Sequence, residues 1–179
     1  MADEFRGKIG AMDSDEVAAF LNSDALARLA CVKPDGSPYV IPVWFHWDGN
    51  DFWFVGRRQA EWCRYLENDP RICIVIDAPH SPADEMGKST EVPKVFAEGT
   101  AEVVEQPNVG GRWVEVAEKM SYRYLGPNGP TYLTASKQQP RWLFRMRPTK
   151  IKTWQGVGWA PKYWVKDTQG PSYEDIHSS

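Results

Sequence analysis

Apolar and polar positions alternate along most of this chain, and they take a helical period in three places. Asp13-Ser-Asp-Glu16 has the spacing of a capping box, in which Asp13 accepts from first-turn N–H groups and Glu16 reaches back. The helix it opens buries Val17, Phe20 and Leu21 and ends near Asn22-Ser23. Leu26 to Lys33 is a strand that turns at Pro34-Asp35-Gly36, where Gly36 accommodates a positive φ. Tyr39 to Trp47 and Phe52 to Val55 are the next two strands, joined at Asp48-Gly49-Asn50. Pro42 removes a ladder donor from the second strand, which places it at an edge, a bulge or a barrel corner. Ala60 to Asn68 reads as a short helix, stopped because Pro70 pushes Asp69 out of the α region.

Arg71 to Asp77 is a buried strand, followed by a polar loop over residues 78–93 that suits a lid, a partner contact or a disordered segment. Val95 to Glu105 returns to strand, with Gly99 marking a bulge or a close backbone approach. After Gly110-Gly111, the stripe Trp113, Val116, Ala117, Met120 and Tyr124 predicts an amphipathic helix. A Gly- and Pro-rich coil leads to the last strand, Trp142 to Trp154, and then to a polar tail carrying Trp159, Tyr163 and Trp164. The fold class is mainly β with flanking helices (α+β), with six antiparallel strands in a small barrel filled by its own side chains. A ligand then sits outside the barrel, against its wall or at a subunit seam. The expected organisation is an N-terminal extension (1–12), one barrel domain (13–155) and a C-terminal tail (156–179) that suits covering a cleft.

Composition narrows the function classes. The chain has 179 residues, enough for one domain with a real core. A formal net charge of -3 with 25% charged residues gives no electrostatic footprint for nucleic acid or an anionic membrane. No apolar run is long enough to span a bilayer, and the acidic opening lacks the apolar stretch of a secretory signal, so the expected compartment is the cytoplasm. Cys31, Cys63 and Cys73 show no CxxC spacing and imply neither a disulfide framework nor a zinc site. The nine tryptophans are the compositional oddity.

Three features carry candidate chemistry. Arg57 and Arg58 end an aromatic strand just before a helix, where two guanidiniums and the helix N-terminus suit a phosphate, with Arg64 one turn inside. The same pattern also describes a solvated loop. Trp44, Trp47 and Trp53 fall on two faces of alternating strands, so at least one packs at an interface or under a planar ligand. His46, alone among aromatics, suits a structural role better than that of a base. His80 and His177 have no ligand spacing, and neither a Ser-His-Asp or Cys-His grammar nor a glycine-rich phosphate loop is visible.

The run Gly36-Ser-Pro-Tyr-Val-Ile-Pro-Val-Trp-Phe-His-Trp47, then Phe52-Trp-Phe54, then Tyr65-Leu-Glu-Asn-Asp-Pro-Arg-Ile72 resembles the pyridoxamine 5'-phosphate oxidase-like flavin-binding split barrels. Val95-Phe-Ala-Glu-Gly-Thr-Ala101 and Thr153-Trp-Gln-Gly156 keep the same order, so the resemblance spans about residues 14–160. It implies a six-stranded antiparallel split β-barrel, assembled as a homodimer with two flavins in clefts shared between subunits. Flavin contacts would fall on Ile41, Pro42, Val43, Trp44, Phe45 and His46, on Val55 and Gly56, on Trp62, and on Lys94 and Trp154.

Two departures modify what the resemblance implies. Glu61-Trp62 stands where the oxidases carry an Arg-Lys phosphate pair, so Arg57, Arg58 and Arg64 would have to supply that charge. Val157-Gly-Trp-Ala-Pro-Lys162 replaces the Arg-Leu-His substrate sequence, which argues against oxidation of pyridoxamine phosphate itself. The expected function is an FMN-dependent oxidoreductase or reductase acting on a small planar molecule by hydride transfer through flavin N5. The alternatives are a deazaflavin-dependent reductase on the same fold, and a non-catalytic flavin or heme carrier or sensor, heme having the least support.

Overall fold

The computed structural model describes residues 11–77 and 93–155. The start of the N-terminal extension, the loop over 78–92 and the tail 156–179 lie outside the described residues, and with them His80, His177, Trp159, Tyr163 and Trp164. The elements are α1 (Ser14–Leu21), β1 (Ala27–Val32), β2 (Pro38–Val43), β3 (His46–Trp47), β4 (Phe52–Arg57), α2 (Glu61–Asn68), β5 (Arg71–Asp77), β6 (Lys94–Asn108), α3 (Trp113–Leu125), α4 (Gly129–Ser136) and β7 (Arg141–Trp154). Helix α1 begins with the capping box as read: Asp13 Oδ1 accepts from the N–H groups of Asp15 and Glu16, and Glu16 Oε2 accepts from Asp13 N–H. Gly36 and Gly49 take φ of 83° and 101° in the two tight turns.

Among the described residues, all strands join one antiparallel sheet of seven strands in the order β2-β1-β5-β6-β7-β4-β3. The expected strand from Tyr39 to Trp47 is broken at Trp44–Phe45: β2 pairs only with β1, and β3 pairs with β4. The sheet therefore begins with β2 and ends with β3, two segments that follow each other in the chain, so it must roll until its edges lie two residues apart. That roll is the split barrel. Pro42 sits on the edge strand β2, where its missing N–H breaks no interior ladder.

Alternate residues of each strand fill the roll. Ala27, Leu29 and Cys31 of β1, Ile72, Ile74 and Ile76 of β5, Phe52 and Phe54 of β4, and Trp142, Phe144 and Met146 of β7 form one buried cluster with Phe45, Trp47 and Trp62. A second, smaller core lies outside the sheet, where Trp113 of α3 and Leu133 of α4 cover Leu143, Trp53 and Val55. Helix α4 replaces part of the expected coil; its proline lies in the first turn, where the missing N–H has no intrahelical partner to lose. At Gly99 the β6–β7 register shifts, and an added Cβ would lie 2.5 Å from the Arg147 carbonyl oxygen, so the backbones approach as closely as the sequence suggested.

Candidate functional site

The outer face of β4 presents Trp53, Val55 and Arg57, opposite Arg145, Leu143 and Arg141 of β7. Helices α3 and α4 cover the middle of this face but leave its end open. There a cleft of about 280 Å³ forms between β2, the end of β4, the start of α2, the α3–α4 pair and the start of β7. Ile41, Pro42, Val43, Trp44, Val55, Gly56, Arg57 and Trp62 line it. The other lining residues are Ala60, Ala117, Met120, Ser121, Tyr132, Leu133 and Arg141.

The remaining candidates lie elsewhere. Phe45 is fully buried in the core. Arg58 and Arg64 are exposed and outside the cleft lining. Arg57 ends β4 and Arg58 lies in the turn that follows; the Arg58 backbone is tied to the start of β7, its N–H donating to Pro140 O at 3.1 Å and its carbonyl accepting from Trp142 Nε1 at 3.5 Å. Lys94 and Trp154 are cross-strand partners at the far ends of β6 and β7. Trp154 stands twelve positions beyond Trp142 on the same strand, and neither Lys94 nor Trp154 lines the cleft.

The three candidate tryptophans separate. Trp47 is core, against Phe52 at 4.5 Å. Trp53 is half-buried on the outer face, its Nε1–H donating to Asp48 Oδ2 at 2.7 Å. Trp44 is the cleft tryptophan, stacked on Tyr124 at 5.0 Å with Tyr132 edge-on at 5.9 Å. The Tyr124 hydroxyl fixes the break in the strand: it donates to Ala25 O at 3.1 Å and accepts from Phe45 N–H at 3.4 Å and from Arg123 Nη2 at 2.9 Å. Arg123 lies over the Phe45 ring at 4.4 Å.

Acid–base and thiol chemistry find little support here. His46 lines a separate pocket of about 140 Å³ with Asp48, Trp53, Arg112, Glu115 and Lys119. Burial first, then the charges of Lys119 and Arg123, hold its pKa below the ordinary 6.5, against the opposing Asp48 carboxylate. As pH falls the unfolded chain takes up this proton first, so stability is lost below about pH 6.5 and continues to fall toward the folded pKa. Urea midpoints measured from about pH 7 down to about pH 5.5 are expected to fall more for the wild type than for His46→Gln; parallel curves would remove His46 from the pH response. Burial pushes the Cys31 thiol up to about 11 and raises Cys63 further, so neither supplies a thiolate at neutral pH. No group of His, Cys, Asp and Glu suited to a metal is found among the described residues.

Sequence reasoning missed Arg141. It is 7% exposed, its Nε has no hydrogen-bond partner, and its guanidinium lies 5.5 Å from the Trp113 ring centre. An arginine opening a strand carries no local sign of burial; only the packing of α3 and α4 over the outer face encloses it. The same packing brings in Met120, Ser121, Tyr132 and Leu133.

A family model described as pyridoxamine 5'-phosphate oxidase matches residues 13–155. No curated protein matches at the sequence level. Among solved structures, the fold is similar to a conserved hypothetical protein from Mycobacterium tuberculosis, at 22% identity over 82% of this chain and 87% of that one, with a TM-score of 0.63. It is similar also to an F420 reductase, at 23% identity over 75% of this chain and 94% of that one, TM-score 0.55. The heme storage protein HutZ from Vibrio cholerae is 21% identical over 79% of this chain and 93% of its own, TM-score 0.59.

Proposed function

Since the chain belongs to the pyridoxamine 5'-phosphate oxidase family, we propose that it is a flavin-dependent oxidoreductase holding FMN in the cleft between β2, β4 and the α3–α4 pair. One observation carries this reading: the apolar and aromatic stretch Ile41–Trp44 and the two arginines of the cleft line a single concave wall. That combination suits a flat ring system with an anionic tail. Bound there, FMN supplies two-electron redox chemistry at ring N5.

The chain's own residues bind, orient and exclude water. Trp44 is held rigid by Tyr124, so it offers a fixed aromatic wall. Met120 and Tyr132 bring further apolar surface from the helices and limit solvent access. No side chain of the cleft is placed as an acid or base, which agrees with chemistry centred on the cofactor.

The cleft of one protomer lies slightly below the roughly 300–1,000 Å³ of small-molecule sites. A two-fold homodimer would complete it twice, and would let the Lys94–Trp154 ends of β6 and β7 of one protomer approach the cleft of the other. Sedimentation of the purified protein is expected to give a dimer at micromolar concentration, and FMN is expected to titrate in with a perturbed flavin spectrum. A stable monomer would remove the shared site; an unperturbed spectrum would remove FMN.

The second reading is a deazaflavin-dependent reductase. It is favoured by the F420 reductase with a similar fold and by Glu61-Trp62 in place of the Arg-Lys pair. Parallel titrations with FMN and a deazaflavin discriminate between them. A heme carrier has the least support, since the one histidine among the described residues lines the other pocket.

A further inference from the structure

Arg141 is an unsettled charge. It is 7% exposed, and no ion pair involves it among the described residues. Its Nε–H has no acceptor, and the face of Trp113 stabilises the cation without accepting that hydrogen in hydrogen-bond geometry. A guanidinium withdrawn from water without a carboxylate is unfavourable by itself.

Its neighbourhood adds positive charge. Arg57 stands directly opposite across the β4–β7 ladder, so two like charges share one face. Both line the cleft, and among the described residues they are its only charged lining residues. Ala60, the N-cap of α2, lines the cleft too and offers no side-chain acceptor; of the first-turn groups of α2, Cys63 N–H donates to Ala60 O at 3.2 Å and the Glu61 carboxylate offsets the helix dipole, so the positive charge of the seat is that of the two guanidiniums.

The geometry points to a phosphate seat formed by Arg141 and Arg57, with Arg141 as the buried wall and Arg57 as the rim. Resting on the flavin reading above, its occupant is the phosphomonoester tail of FMN. A dianionic phosphate matches two guanidiniums, whereas a single carboxylate neutralises one. The seat replaces the Arg-Lys pair absent at Glu61-Trp62, and it requires neither Arg58 nor Arg64.

The test compares FMN with riboflavin, which lacks the phosphate, on the wild type, Arg141→Met and Arg141→Lys. The wild type is expected to prefer FMN. Arg141→Met is expected to lower that preference about ten- to a hundredfold while leaving riboflavin affinity unchanged, and Arg141→Lys to recover part of it. Removing an uncompensated buried charge is expected to leave the apo protein at least as stable. A folded Arg141→Met with an unaltered FMN-to-riboflavin ratio overturns the seat, and a destabilised apo variant with that same ratio makes Arg141 a packing residue.

A second arm needs no flavin: inorganic phosphate, against sodium chloride at equal ionic strength, is expected to raise the thermal midpoint of the wild type but not of Arg141→Met. If phosphate acts through Arg141 while neither flavin binds, the seat stands and the flavin reading falls. If both flavins bind equally and phosphate has no effect, the seat falls and the flavin reading stands.

Discussion

Gly56→Val is expected to destabilise the protein by about 3 kcal/mol or more. Gly56 has an ordinary φ, so the reason is space rather than backbone strain. A Cβ there would lie 2.0 Å from Cys63 Sγ and 2.9 Å from Trp62 Cζ2. Both neighbours belong to the first turn of α2, which plugs the end of the barrel with Trp62 against Phe144 at 5.6 Å. Any side chain at position 56 must therefore displace the Cys63 thiol and the Trp62 ring or move the helix that carries them. Gly56→Ala isolates the effect, at about 1–3 kcal/mol by overpacking. Combining it with Cys63→Ala removes the nearest atom, so the double mutant is expected to be more stable than the sum of the singles by more than about 1 kcal/mol. Urea unfolding of the four proteins measures this coupling, and strict additivity would mean that α2 shifts freely.

Tyr124→Phe is expected to cost about 2–3 kcal/mol, although it deletes a single oxygen. That oxygen serves Ala25 O, Phe45 N–H and Arg123 Nη2 together. Its loss leaves enclosed polar groups without partners and frees the link that sets Trp44 against the cleft. Burial first, partly countered by the Arg123 charge, raises the Tyr124 pKa above 10.0. The unfolded chain then loses its proton first on the alkaline side, so this contribution is intact below about pH 10 and declines as pH rises toward the folded pKa. A stability–pH curve that bends down above pH 10 in the wild type but less in Tyr124→Phe is the expected signature. Identical curves would remove Tyr124 from the alkaline response.

Local chemistry made much of this fold legible. Asp13 and Glu16 announce a helix because their capping geometry depends on spacing alone. Gly36 and Gly49 announce turns because few other residues accept their φ. Pro42 announces an edge, a bulge or a barrel corner because it cannot donate, and the fold uses the edge. Where the outcome depends on distant packing, the sequence was silent. Trp44 and Phe45 continue the alternation of their neighbours, and only Tyr124, contributed by α3, shows why the strand breaks between them. The Gly- and Pro-rich coil held a helix because a proline in the first turn can be read as a start as well as a stop.

For the site, Ile41 to Trp44, Val55 and Gly56 were singled out by the family resemblance and Arg57 by its place before a helix; the fold brings them together along one cleft. The Arg57-Arg58 pair was not readable as two roles. Neighbouring residues look equivalent in sequence, whereas here the strand ends between them: Arg57 closes β4 and Arg58 enters the turn, its backbone bonded to Pro140 and Trp142. Arg141 was hidden for the complementary reason: its partner across the ladder is remote in the chain.

The position of β7 has a consequence for the order of events on the ribosome. This strand, the last among the described residues, is central to the sheet, pairing with β6 on one side and β4 on the other. Until it is synthesised, the nascent chain can assemble β2-β1-β5-β6 and the β3–β4 hairpin only as two separate pieces, each exposing an unpaired border. Joining them closes contacts such as that of Trp142 with Arg58, 84 residues apart. Non-local closures of this kind are slow, and open borders attract other chains. The cleft wall forms in that same late step, because Arg141 and Arg57 meet across the final seam.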